Sequence, residues 1–216
     1  MANRLVLASG SPRRIEMFQK GGYDPVIRPS KKEERAPQGM NPAELVQYLA
    51  LSKALDIEAV LQAEHTEAAE GGSCTAEEEG NRCRSFVVGA DTVVCTDSTF
   101  PGGERVLGKP ANEADALAML QELRGRAHRV LTGVAILELG TGNRRVFAEE
   151  TKVCFADYTD QEILDYIASG EPMDKAGAYA IQGGWGKYVT RFEGDYDNVI
   201  GLPWERTRRT LADMGF

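Results

Sequence analysis

The stretch that most limits the fold is HRVLTGVAILEL-GTGN-RRVFAEETKVCFADY, from His128 to Tyr158. Two strand-length runs rich in Val, Ile, Leu, Phe and Thr flank a turn signal with two glycines, which predicts a long hairpin. A hairpin excludes a purely parallel sheet. Helical patterns stand on both sides of it, so the expected class is α/β, with a mixed, twisted sheet flanked by helices. At 216 residues and 42% hydrophobic content the chain can bury one sizeable core or two small lobes, and it is expected to fold as one domain over residues 1–216.

The first element is equally legible. LVLASGSPRRIEMFQKGG, Leu5 to Gly22, predicts a strand, a tight turn and a helix, with Ser11 as N-cap, Pro12 in the first helical position and Gly21 or Gly22 at the end. Arg13 and Arg14 then fall in the helix's first turn, where the macrodipole disfavours a cation by roughly 0.3–1 kcal/mol. A bound phosphate reverses that sign, because its oxygens take the free backbone N–H groups and the guanidinium forks together. Two solvated arginines that tolerate a small cost are the alternative.

The formal net charge of −8 argues against a nucleic-acid polymer as partner, so an anion site must be local. No apolar run approaches membrane-spanning length, and MANRLVLASG is a poor signal peptide, so a cytoplasmic protein without a membrane partner is expected. Cys74, Cys83, Cys95 and Cys154 are scattered without zinc-ligand spacing and are expected to be reduced thiols. With two histidines in the chain, acid–base work falls to carboxylates.

NPAELVQYLALSKALDIEAVLQ opens with Asn41, Pro42 and Glu44 and carries an apolar stripe through Val46, Leu49, Ala50, Ala54, Ile57 and Leu61, which predicts a helix. Lys53 lies on that stripe, where a snorkelling lysine is one explanation. Residues 63–85 are rich in Glu, Gly and small side chains and read as a solvated or disordered insertion. FVVGADTVVCTD reads as a buried strand interrupted at Gly89 to Thr92, and PGGERVLGKP as a turn with a returning strand. Helices are expected from about Asn112 to Arg124, from Thr159 to Ser169, and over PWERTRRTLADMG.

Asp91 sits among apolar residues, where an unpaired charge is costly; it either meets a metal or basic partner or caps backbone N–H groups in a turn. Lys109, before Pro110, reads alone as an ordinary turn lysine. One of Glu33 and Glu34, taken with Asp91, could complete an oxygen-ligand site for Mg²⁺ or Mn²⁺. The glycines around EPMDKAGAYAIQG are explained by tight hairpins, which leave Gln182 unexplained.

Five segments in this order, LASGSPRR, GADTVV, LGKP, EPMDKAGAYAIQG and GDYDNVIGLP, resemble the Maf family of nucleoside triphosphate pyrophosphatases. The resemblance implies an elongated fold with two lobes and a central cleft, similar to the inosine triphosphate pyrophosphatases. It implies hydrolysis between the α- and β-phosphates with a divalent cation, Mg²⁺ or Mn²⁺. It assigns Asp91 as proton acceptor, with Glu34, Lys53 and Lys109 around the phosphates, Glu34 and Asp91 at the metal, and Ser9, Ser11, Arg13 and Arg14 at the substrate. Arg13, Thr92 and Gln182 match the branch that prefers dTTP and UTP. A primary amide can pair with N3–H and a neighbouring carbonyl of uracil or thymine at once, which suits Gln182 to that task. A homodimer is implied as an assembly common in the family. Two other readings are an inosine-type purine triphosphate pyrophosphatase and a non-enzymatic nucleotide-binding regulator of cell division.

Overall fold

A computed structural model describes residues 3–32, 35–70 and 84–216. In chain order the elements are β1 (Arg4–Leu7), α1 (Pro12–Lys20), β2 (Val26–Ile27), α2 (Pro42–Glu70), β3 (Ser85–Cys95), β4 (Val106–Leu107) and α3 (Glu113–Leu123). There follow β5 (Ala127–Glu138), β6 (Arg144–Phe155), α4 (Asp160–Ala168), three 3₁₀ turns between Glu171 and Tyr188, β7 (Val189–Glu193), α5 (Tyr196–Ile200) and α6 (Trp204–Asp213). One mixed sheet runs in the order β2-β1-β3-β5-β6-β7, with β4 added on β3. β1 is parallel to β2 and β3, and every other pairing is antiparallel.

The expected hairpin is present: β5 and β6 pair from Ala127↔Cys154 to Leu137↔Arg144. With β3 they form three strands of 11 and 12 residues, long enough at about 3.3 Å per residue to run through both lobes. The core divides accordingly. Around one end of these strands α1 and α6 bury Phe18, Phe86, Ile136 and Leu211. Around the other, α3, α4 and the 3₁₀ turns bury Leu120, Phe155, Ile163 and Trp185.

Helix α2 covers the opposite face. Its predicted stripe is buried in full, from Val46 to Leu61, and Asn41 and Glu44 bond reciprocally across its first turn at 3.0 and 3.1 Å. It continues to Glu70, eight residues into the stretch read as a solvated insertion; residues 71–83 of that stretch lie outside the described residues, as do Glu33, Glu34, Cys74 and Cys83. Cys95 and Cys154 are free thiols.

β3 is not interrupted at Gly89 to Thr92, contrary to the expectation: Asp91 pairs with Gly133 and Thr92 with Thr132 in an unbroken ladder with β5. Gly89 and Gly133 serve a different purpose from turning the chain. A Cβ on Gly89 would stand 2.3 Å from the Ala50 carbonyl oxygen, and one on Gly133 2.2 Å from that of Val46. Both glycines therefore let the α2 backbone lie directly on the sheet, which a side chain would forbid. Among the described residues, no helix is long and apolar enough to cross a membrane.

Candidate functional site

The strand registers open a gap in the sheet. β1 pairs with β3 as far as Leu7↔Val88, and β4 pairs with β3 from Val94↔Leu107, so the segment of β3 between them has no strand beside it on that edge. A cleft of about 940 Å³ occupies the gap, beyond the carboxyl end of β1, which is the usual place for a ligand in an open α/β sheet.

The first wall is the turn from β1 into α1. Ser9, 8% exposed, accepts bonds on its Oγ from the Ser11 backbone N–H (3.3 Å) and from Arg14 Nη1 (3.2 Å), which shapes the turn. Ser11 is the N-cap and Pro12 opens the helix, as expected, yet the Ser11 side chain makes no capping bond and the first turn holds no acidic residue. The helix N-terminus therefore presents its positive end to the cleft without a carboxylate of its own.

The second wall is α2 against β3. The backbone contact at Gly89 brings α2 close enough for Lys53, one turn beyond Ala50, to reach Asp91, with Nζ 2.5 Å from Oδ1. That pairing resolves the alternative left open for Asp91. It lies within a strand, 8% exposed, with a lysine as its partner, and caps no turn. The third wall comes from the other lobe: Lys109 follows β4, Asp174 ends one 3₁₀ turn, Ala176 opens the next, and Lys175 joins the two. Gly177 N–H donates to the Gly108 carbonyl at 3.0 Å, which ties this segment beside Lys109.

Electrostatically the cleft opposes the rest of the protein. Arg13, Arg14, Lys53, Lys109 and Lys175 line it against Asp91 and Asp174, although the chain carries −8 overall. Asp174 is itself paired with Lys175. Burial works against its charge, but the hydrogen bond from Lys175 and the charges of Lys175 and Arg13 hold its carboxyl below the ordinary range. In sequence Asp174 and Lys175 are a charged pair in a glycine-rich segment, with nothing local that assigns them a role.

Two sequence assignments read differently in three dimensions. Arg14 is occupied with protein acceptors: Nε donates to the Gly201 carbonyl (2.8 Å), Nη1 to that of Ala90 (3.0 Å) and Nη2 to Thr92 Oγ1 (2.9 Å). Arg13 and Thr92 line the cleft as expected, whereas Gln182 does not. Its turn buries Trp185, packs Ile181 partly against the core and leaves Gln182 exposed, three residues beyond cleft-lining Tyr179.

For a divalent cation the described residues offer Asp91, with one oxygen on Lys53, and no group of three Asp, Glu, His or Cys side chains. Among the described residues such a donor set suits Mg²⁺ or Mn²⁺ carried by phosphate oxygens, since Mg²⁺ is commonly bound by one or two carboxylates plus substrate phosphates and water.

Sequence comparison adds the relatives. The family described as Maf-like protein matches residues 4–214. The chain is 42% identical over 213 residues to a dTTP/UTP pyrophosphatase of Geobacillus sp., covering 99% of each chain. It is 39% identical to the dTTP/UTP pyrophosphatase of Dictyoglomus thermophilum, over all of this chain and 98% of the relative. It is 41% identical to that of Symbiobacterium thermophilum, over 99% and 95%.

Proposed function

The chain belongs to the family of Maf-like proteins, and from that membership we propose that it hydrolyses nucleoside triphosphates between the α- and β-phosphates, giving the monophosphate and pyrophosphate, with dTTP and UTP as preferred substrates. The observation that carries this reading is the gap in the sheet: a cleft in an acidic protein with five basic side chains, an uncapped helix N-terminus and one buried carboxylate fixed by a lysine. The names of the relatives support the substrate class.

In this arrangement Arg13 and the first-turn N–H groups of α1 receive phosphate oxygens, and Lys53 and Lys109 neutralise charge that develops on the leaving pyrophosphate. Lys53 also fixes the orientation of the Asp91 carboxylate, which accepts a proton from the attacking water. Asp91, with Glu34 beyond the described residues, would hold Mg²⁺ or Mn²⁺; when bound with the triphosphate such an ion supplies further neutralisation of phosphate charge. Gln182, whose primary amide can pair with N3–H and a carbonyl of uracil or thymine, is the residue assigned to base choice.

The test is pyrophosphate release over a panel of dTTP, UTP, CTP, ATP, GTP and ITP with Mg²⁺. The reading expects dTTP and UTP to lead. Preference for ITP would transfer the protein to the purine class, and absence of turnover on every triphosphate would leave a binding protein.

A further inference from the structure

We infer that Thr132, which does not line the cleft, is a positioning residue for the reaction proposed above: through an ordered chain of hydrogen bonds it sets where Arg14 and the β3 segment carrying Asp91 stand. The inference rests on that functional reading for its kinetic consequences and on the bonds below for its geometry.

The segment from Ala90 to Thr92 has no strand on its cleft edge, since β1 has diverged and β4 has not begun. Arg14 takes the missing strand's place. One guanidinium holds the Ala90 carbonyl (3.0 Å) and Thr92 Oγ1 (2.9 Å), the two residues that flank Asp91. What orients that guanidinium lies behind it. Thr132, 0% exposed, donates its single hydroxyl proton to the Asn198 carbonyl at 2.9 Å, so it has none left for Thr92. The 2.9 Å contact between the two threonine hydroxyls therefore runs from Thr92 to Thr132, and Thr92 in turn accepts from Arg14.

The circuit closes on itself. The Asn198 carbonyl also accepts Gly201 N–H (3.1 Å), and the Gly201 carbonyl accepts Arg14 Nε (2.8 Å). Asn198 cannot drift, because its Nδ2 donates to the Val130 carbonyl and to Thr151 Oγ1, both at 3.0 Å, and Thr151 donates to the Asp195 carbonyl at 2.8 Å. GSPRR, GADT and GDYDNVIGLP, distant in sequence, thus meet in one network in which each hydroxyl proton has a single direction. Thr92 is left with a lone pair and no proton to offer, so it does not donate to a phosphate oxygen.

Thr132→Val keeps the shape and removes the link. Thr92 then turns toward the Gly201 carbonyl, 3.5 Å away, and that rotation releases Arg14 Nη2. Displacement of a catalytic carboxylate by a fraction of an ångström to 1 Å costs up to about a hundredfold in turnover. The experiment measures kcat and KM for dTTP with Mg²⁺ in wild type, Thr132→Val and Thr132→Ser, together with crystal structures of wild type and Thr132→Val. The expected result is a kcat lowered at least tenfold in Thr132→Val with KM within twofold of wild type, restored to within threefold by Thr132→Ser, and a visible shift of Arg14 and Asp91 in the Val variant. Wild-type kcat in Thr132→Val, a change confined to KM, or Thr132→Ser falling as far as Val overturns the inference. If wild type itself turns over no triphosphate, the functional reading fails separately, and unmoved Arg14 and Asp91 in the Val crystal then overturn the relay.

Discussion

Replacing Gly89 by alanine should reach the active centre through a single methyl group. The added Cβ would stand 2.3 Å from the Ala50 carbonyl oxygen and 3.0 Å from the Ala54 nitrogen, where ordinary contact begins at 3.4 Å, so α2 must retreat from β3 by about 1 Å. Overpacking of this kind costs about 1–3 kcal/mol. Lys53 rides on the same turn of helix, and its 2.5 Å contact with Asp91 lengthens past hydrogen-bond reach when the helix backs away. A displacement of about 1 Å at a catalytic pair costs up to about a hundredfold in rate. Urea unfolding followed by circular dichroism reads the first effect, and initial rates of pyrophosphate release at saturating dTTP read the second. Gly102→Ala is the control, since the atoms nearest its Cβ would be those of the Arg105 side chain, at an ordinary 3.6 Å and beyond. A Gly89→Ala protein with wild-type stability and wild-type kcat would refute the claim that the glycine exists to seat α2, and Lys53 with it, on the sheet.

Lys109→Ala should lower kcat by about tenfold to a hundredfold, the usual worth of a hydrogen bond to a charged group, against almost no effect for Lys20→Ala on the exposed face of α1; equal behaviour of the two would remove Lys109 from the site. Gln182→Glu should weaken discrimination for dTTP and UTP over purine triphosphates by about 1–3 kcal/mol, and an unchanged ratio would assign base reading to residues that already line the cleft. His128 is buried with its Nε2 2.8 Å from Tyr179 Oη, and burial pushes its pKa down to about 3, so it stays neutral in the native state while the unfolded residue gains a proton near 6.5. Its contribution to stability is therefore complete above pH 6.5 and is lost at about 1.4 kcal/mol per unit as pH falls toward 3. Urea titrations at several pH values should show that dependence flattened by about one proton in His128→Gln, and parallel curves would contradict the assignment.

Much of this fold was written locally. The α2 stripe, the Asn41 and Glu44 bonds at its start, the helix that Thr159 opens, and the β5–β6 turn are all patterns within a few residues, and each formed where expected. The differences between sequence and structure share a cause: they depend on what arrives from elsewhere in the chain. Gly89 looked like a break in β3 because nothing in FVVGADTVV reveals that a helix backbone will rest on it. Arg14 looked like a phosphate ligand because its acceptors, Ala90, Thr92 and Gly201, lie 76 to 187 residues away. Gln182 carries the right chemistry for a pyrimidine, yet it stands exposed where Trp185 is buried and Ile181 partly so. Asp91 and Lys53 were each ambiguous alone, and the geometry joins them at 2.5 Å.

The most direct measurement identifies the products formed from dTTP and Mg²⁺ by wild type and by Asp91→Asn, separated by ion-exchange chromatography. The cleft built around Asp91 and Lys53 predicts dTMP and pyrophosphate in equal amounts from wild type, and turnover lowered by at least a thousandfold in a variant that remains folded, since the amide keeps the side chain's size but cannot take the proton. Formation of dTDP and orthophosphate by wild type, or an Asp91→Asn variant that works within a few-fold of it, would contradict the account at its centre.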